Sequence, residues 1–174
     1  MPYRGEMTNQ HRTLALLRHA KSAYPAGVAD HDRPLASRGV REAGLAGDWL
    51  RVNLPAIDLV LCSTATRARQ TLGRTGVAAP VRYIERLYGG GPAAVIDEIN
   101  SVADEVSALL VVGHEPTMTD TVLALAGADG TNTAAAERLS EKFPTSGIAV
   151  LEVPCRWKQL KPKGAALIDF HVPR

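Results

Sequence analysis

Cysteine is scarce in this chain: Cys62 and Cys155 are the only two among 174 residues, and they form no CxxC pair. That argues against a disulfide framework and against a zinc site built on thiolates. An excess of one charge is also lacking, since 20 Lys and Arg face 18 Asp and Glu for a formal net charge of +2. So small an excess gives no basis for binding nucleic acid or an anionic membrane, and any recognition of anions must come from a local cluster. No apolar run approaches the roughly 18 residues needed to cross a bilayer. The opening residues, Met1 to Thr13, lack the apolar core of a secretory signal. A reducing, cytoplasmic location is the expectation. Nothing in the sequence sets the oligomeric state, and a monomer is compatible with it.

What is present is an ordinary globular composition, 45% hydrophobic and 22% charged, long enough for one domain with its own core. Residues 1–12 read as a flexible polar extension. Leu14 to Leu17 is a short apolar run that stops at Arg18-His19, as a buried strand ending at a site would. From Ser37, Val40, Ala43, Gly47 and Leu50 recur at helical steps, with Ser37 as the expected cap and Asn53 to Pro55 as the stop. Leu59 to Cys62 predicts a second strand, followed by a helix carrying Arg67, Arg69 and Gln70. Val81 to Ile84 predicts a third strand, and Gly89 to Pro92 a break. Ala93 to Asn100 and Ala103 to Ala108 read as helical. Leu109 to Val112 predicts a fourth strand, ending in Gly113-His114. Pro116 suits the first turn of a helix running to about Gly127. Residues 128–142 show no clear pattern, and Ile148 to Val153 and Ala166 to Phe170 predict the last strands. Strands alternating with helices imply an α/β sandwich with a largely parallel sheet, whose ligands bind beyond the carboxyl ends of the strands.

Three of these runs end in cationic or potentially cationic residues: Arg18 and His19, Arg67, and His114. Arginine suits a phosphate dianion because its planar fork makes paired, charge-assisted bonds to phosphate oxygens. A neutral imidazole among such cations can attack phosphorus and become a covalent phosphohistidine. A second histidine, in cationic form, would bind the charge that builds up on the transferring group. No metal or cofactor is needed if these side chains neutralise that charge. Duller roles exist for each residue: His114 could satisfy backbone groups at a strand end, and Arg67, Arg69 and Arg74 could form a solvated helix face. His11, His31 and His171 are assigned such roles. Other phosphatase chemistries fit less well. Cys62 to Arg67 has the wrong spacing for a Cys-x5-Arg loop, Asp30-His31-Asp32 follows no strand, and there is no Walker-type glycine loop.

Leu16-Leu17-Arg18-His19-Ala20-Lys21-Ser22 resembles the RHG-type motif that opens the histidine phosphatase superfamily, with Ala20 as in its small phosphohistidine phosphatase (SixA-like) branch. Arg33 to Gly39 is similar to the segment leading into that family's first helix. Ser63 to Thr71 resembles its Ser-Pro-x-x-Arg-Ala-x-Gln-Thr element, with Thr64 in place of proline, and Val112 to Pro116 its second histidine motif. Trp157 and the segment from Gly164 to Pro173 are also in keeping with the small branch. The resemblance covers residues 13–174 as a single histidine phosphatase domain. It implies a three-layer α/β/α sandwich with a mixed, mostly parallel central sheet of the phosphoglycerate mutase-like type. It makes His19 the phosphoryl acceptor, Arg18 and Arg67 phosphate ligands, and His114 the second catalytic histidine.

Glu85-Arg86-Leu87-Tyr88-Gly89-Gly90 resembles the mutase branch's Glu-Arg-x-Tyr-Gly-Gly, whose glutamate donates a proton to the leaving group. Glu85 is therefore a candidate general acid, and a solvated glutamate at a strand end explains the segment equally well. Glu115 and Asp32 are poorer candidates. Only the 22 residues from Pro92 to Gly113 separate the glycine break from His114, where the mutases carry a long insertion. The expectation is an open pocket and hydrolysis of phosphoryl groups, with a phosphohistidine protein as substrate and partner. The alternatives are a small-molecule phosphomonoesterase or mutase-like enzyme using Glu85, and a non-catalytic phosphate-binding regulatory module.

Overall fold

The computed structural model describes residues 11–174. The strands are β1 (Arg12–Arg18), β2 (Leu59–Ser63), β3 (Val81–Ile84), β4 (Ala108–Gly113), β5 (Ile148–Val153) and β6 (Ala166–His171). They form one six-stranded sheet in the order β3-β2-β4-β1-β5-β6. The pairs β3–β2, β2–β4 and β4–β1 are parallel, while β5 runs antiparallel to both its neighbours. The helices are α1 (Ser37–Asn53), α2 (Thr66–Thr75), α3 (Arg86–Gly89), α4 (Pro92–Asn100), α5 (Thr117–Leu125) and α6 (Thr133–Glu141).

Because side chains alternate across a strand, each apolar run feeds two cores. On one face Leu14, Leu16, Leu61 and Val111 pack with Val95 and Ile99 of α4, Met118 and Val122 of α5 and Leu139 of α6. On the other, Ala15, Leu17, Cys62 and Val112 meet Ala46 and Leu50 of α1 and Ala68 and Leu72 of α2. The result is a three-layer α/β/α sandwich. Central strands covered on both faces read as continuous apolar runs, which is why β1, β2 and β4 stand out in the sequence. Cys62 is fully buried among them, and burial pushes its thiol pKa up to about 12. Helices α1 and α2 come close through Gly47, where a Cβ would run into the Thr75 carbonyl.

Several expectations need correcting. Ser37 does not cap α1, because the cap position is Ala36 and no side chain bonds there. Ala103 to Ala108 is not helical. Asp58 accepts hydrogen bonds from the Ser107 and Ala108 amides at 2.9 Å, which draws the chain out into β4. Here a tertiary contact overrides alanine's helix propensity. Within the unassigned stretch 128–142 lies α6, capped by the Asn132 side chain on the Ala135 amide at 3.0 Å. Of the expected extension, residues 1–10 lie outside the described residues, and Arg12 already belongs to β1. No helix among the described residues is long and apolar enough to cross a membrane.

Candidate active site

β1, β4 and β2 lie side by side and point the same way, so the residues after them reach one edge of the sheet. Register sets the level: Arg18 lies opposite Gly113, and Cys62 opposite Val112. Just beyond, the rings of His19 and His114 stand 5.1 Å apart. Arg18, His19, Arg67 and His114 line a single cavity of about 210 Å³, together with Lys21, Arg33 and Glu115. A larger apolar cavity, about 310 Å³, lies by the C-terminal ends of α1 and α2. Its charged wall residue, Arg51, is already committed to Asp48 and the Thr75 carbonyl.

The chain around His19 is pinned before its ring does anything. His19 N–H donates to the Gly113 carbonyl at 3.0 Å. Ala20 N–H donates to Thr71 Oγ1 at 2.9 Å, and that hydroxyl donates to the Arg67 carbonyl at 2.6 Å. Ser146 adopts a left-handed φ of 66° and turns its N–H toward the Arg18 and His19 carbonyls, at 3.1 and 3.2 Å. Such a backbone is costly for serine and persists where neighbours over-determine it. His19 Nδ1 is 2.8 Å from the Ala20 carbonyl, which can only accept. Nδ1 therefore carries the proton, and the lone pair sits on Nε2. Burial is the main force lowering the His19 pKa, to about 3. The Ala20 hydrogen bond works against it, and His114, Arg67 and Arg18 add to it. The ring is neutral at pH 7, the form a nucleophile needs.

His114 Nε2 is 2.7 Å from Ser63 Oγ, which also accepts the Ala65 amide at 3.2 Å. The serine's own hydrogen is then free to point at Nε2, which leaves the His114 proton on Nδ1. That Nδ1, like Arg18 Nε, is buried with no hydrogen-bond partner among the described residues. Two unmatched donors in a cationic cavity suit an incoming anion. Arg18 is held by one bond to the Phe143 carbonyl at 2.8 Å. Arg67 directs Nε at His19 Nε2, 3.4 Å away, and bonds through its two terminal nitrogens to Asp30.

The profile of the histidine phosphatase superfamily (branch 1) matches residues 14–88. A solved structure from Nakamurella multipartitia, named as a proposed phosphohistidine phosphatase SixA, is 44% identical with a TM-score of 0.86, covering 94% of this chain and 96% of that one. A second, from Agrobacterium tumefaciens and named likewise, is 35% identical with a TM-score of 0.76, covering 93% and 99%. This chain belongs to the histidine phosphatase superfamily. It is a phosphatase that works through histidine. An uncharacterised protein of Mycobacterium tuberculosis is 68% identical over 158 residues, 91% of this chain and all of that protein.

Burial sets the state of His114, and hydrogen bonding that of Glu85. The His114 ring is held toward its neutral form. Burial first, then Arg67, hold its pKa down to about 4, although Asp30 pulls the other way. Glu85, the candidate acid, does not line the cavity. Its carboxylate accepts from Thr64 Oγ1 at 2.7 Å, and His31 Nε2 lies 2.9 Å from the same hydroxyl. Glu115 does line the cavity, but both its oxygens accept from Thr119, at 2.7 Å each.

Five residues of this histidine phosphatase site carried no role in the sequence reading: Asp30, Arg33, Ser63, Thr71 and Tyr88. Ser63 and Thr71 flank Arg67 within one segment, so their proximity to it was available. Asp30 and Tyr88, joined at 2.7 Å across 58 residues, gave no such signal. His31 packs edge-on against Tyr88 at 4.8 Å beside the site. His11 and His171 stay remote, paired with Glu152 and stacked on Trp49.

Proposed function

We propose that this chain is a cytoplasmic protein phosphohistidine phosphatase in which His19 is the nucleophile. The observation that carries this reading is the shortness of the connection from β3 to β4, Glu85 to Ser107. That connection sends Val95 and Ile99 of α4 into the core, and it reaches the site through Tyr88, edge-on to the His114 ring at 5.5 Å, with none of its residues lying across the cavity. A protein surface can therefore approach. The names of the Nakamurella and Agrobacterium relatives support the same substrate class.

His19 Nε2 attacks phosphorus as the bond to the leaving group breaks and that group takes the electron pair. A leaving imidazole already protonated on its other nitrogen departs as a neutral molecule. An alkoxide would need an acid, and neither Glu85 nor Glu115 offers a free carboxyl facing the cavity. Arg18 and Arg67 hold the phosphoryl oxygens, and His114 Nδ1–H donates to the charge that grows on them. Water then attacks the phosphohistidine, the P–N pair returns to Nε2, and both water hydrogens leave with the phosphate.

Side-by-side hydrolysis of a phosphohistidine protein and a panel of sugar phosphates tests the substrate class. Preference for the phosphohistidine protein is expected, and preference for a sugar phosphate would point to a phosphomonoesterase instead. Glu85→Gln is expected to leave phosphohistidine hydrolysis within about two-fold of wild type. A loss of about a hundred-fold, the scale of a lost general acid, would restore Glu85 to that role. The arginines and His114 supply the charge that metals supply elsewhere. Activity is therefore expected to survive EDTA unchanged, and a loss restored by added metal would overturn this mechanism.

A further inference from the structure

Asp30 lies in a short 3-10 turn, Asp30–Asp32, on the loop between β1 and α1. Its carboxylate joins three segments that are distant in sequence. Oδ2 accepts from Arg67 on α2 at 3.1 Å and from the Tyr88 hydroxyl on α3 at 2.7 Å. Oδ1 accepts from Arg33 Nε at 3.0 Å, and the Asp30 carbonyl accepts from the other Arg67 terminal nitrogen at 2.7 Å. Arg33 is in turn fixed by Ser22 Oγ at 2.6 Å and lies over the Tyr24 ring, 4.0 Å from its centre.

A guanidinium can offer an anion either its end, through the two terminal nitrogens, or its side, through Nε and one terminal nitrogen. Asp30 occupies the end of Arg67. The side, led by Nε, is what remains to face His19 Nε2. We propose that Asp30 is a positioning residue, holding Arg67 side-on to the phosphoryl group as it passes to His19. This rests on the function proposed above. The Asp30 side chain is 56% exposed, so water screens its ion pairs and they add little to stability. Its role is geometric: left free, Arg67 could turn its end toward the anion and lose the alignment with His19. Misplacement on the scale of an ångström can cost about a hundred-fold in rate.

The test separates alignment from simple charge. Asp30→Asn and Asp30→Ala are assayed with a phosphohistidine protein, and inorganic phosphate is titrated as inhibitor. If Asp30 positions Arg67, kcat falls about ten- to a hundred-fold while phosphate binds as well as before or better, because a negative charge has gone. Unchanged kcat with tighter phosphate binding would mean that Asp30 acts only as a charge, and would overturn the proposal. A fall in kcat that tracks a lost melting transition would overturn it too. Asp30→Ala combined with Arg67→Ala should be no slower than Arg67→Ala alone, since the effect passes through Arg67; additive losses would also count against it. Tyr88→Phe removes one anchor at constant charge and should lower kcat in the same direction but less. Asp48→Asn, which removes an equal charge from the surface of α1 where it pairs with Arg51, should leave kcat unchanged. Wild-type failure on phosphohistidine proteins with turnover of a sugar phosphate would sink the substrate reading alone, and the same variants could then be read on that substrate.

Discussion

Replacing His19 by alanine is expected to lower phosphatase turnover by about four to six orders of magnitude, the scale of removing a nucleophile, with the melting temperature almost unchanged. The expected loss is large because no other side chain in the cavity has a comparable lone pair. His114 turns its Nε2 toward Ser63, and Cys62 is sealed in the core as a thiol. The fold should survive because the local backbone is held without the ring. His19 N–H to Gly113, Ala20 N–H to Thr71 and Ser146 N–H to Arg18 and His19 all remain. Hydrolysis by the purified variant gives the rate, and thermal unfolding gives the control. In wild type, an alkaline quench followed by mass spectrometry should find a phosphoryl group on the peptide that carries His19. Residual turnover within ten-fold of wild type, or a phosphoryl group on another residue, would defeat the assignment.

His114 should change its charge when the pocket fills. Burial, then Arg67, hold its pKa to about 4, the neutral side at pH 7. The groups facing it are Arg67, Arg18, His19 and His31, with Asp30 as the opposing charge and Tyr88 at the edge of its ring. Adding a dianion reverses that balance and favours the imidazolium. Anion binding therefore takes up a proton, and affinity should rise as pH falls below the higher, ligand-bound pKa and level off near about 4. Imidazole NMR titrations with and without orthovanadate check this: the pKa in the empty protein should be well below 6.5 and should move up on binding. An ordinary value without ligand, or no movement with it, would defeat the idea. His114→Gln should lose the pH dependence of anion binding and about a hundred- to a thousand-fold in kcat, the scale of one donor to developing charge.

The same two histidines give acid sensitivity a definite sign. Their ordinary pKa is 6.5, whereas the folded values are about 3 for His19 and about 4 for His114. Between those limits the unfolded chain binds more protons, so stability is lost as pH falls below about 6.5. A bound anion, by raising the folded pKa values, should offset part of that loss.

Much of the fold was legible because its central strands are buried on both faces. Leu14 to Leu17, Leu59 to Cys62 and Leu109 to Val112 are continuous apolar runs, and the sheet places them side by side. The failures came where a distant group decided a local conformation. Asp58 draws Ser107 and Ala108 out of the helix that alanine favours. The short α6 depends on packing Leu139 into the core, which a nine-residue alanine-rich segment does not announce by itself.

Read alone, the order of motifs determined the family, the sandwich and the four residues Arg18, His19, Arg67 and His114 as candidates, because each closes or follows an apolar run. Tertiary structure alone decided the finer chemistry. It set which nitrogen of His19 holds the proton, that burial lowers the His114 pKa, that Glu85 stands behind Thr64, and that Asp30 takes one edge of Arg67. These are properties of distance and burial between segments far apart in the chain, and a linear sequence carries no measure of either.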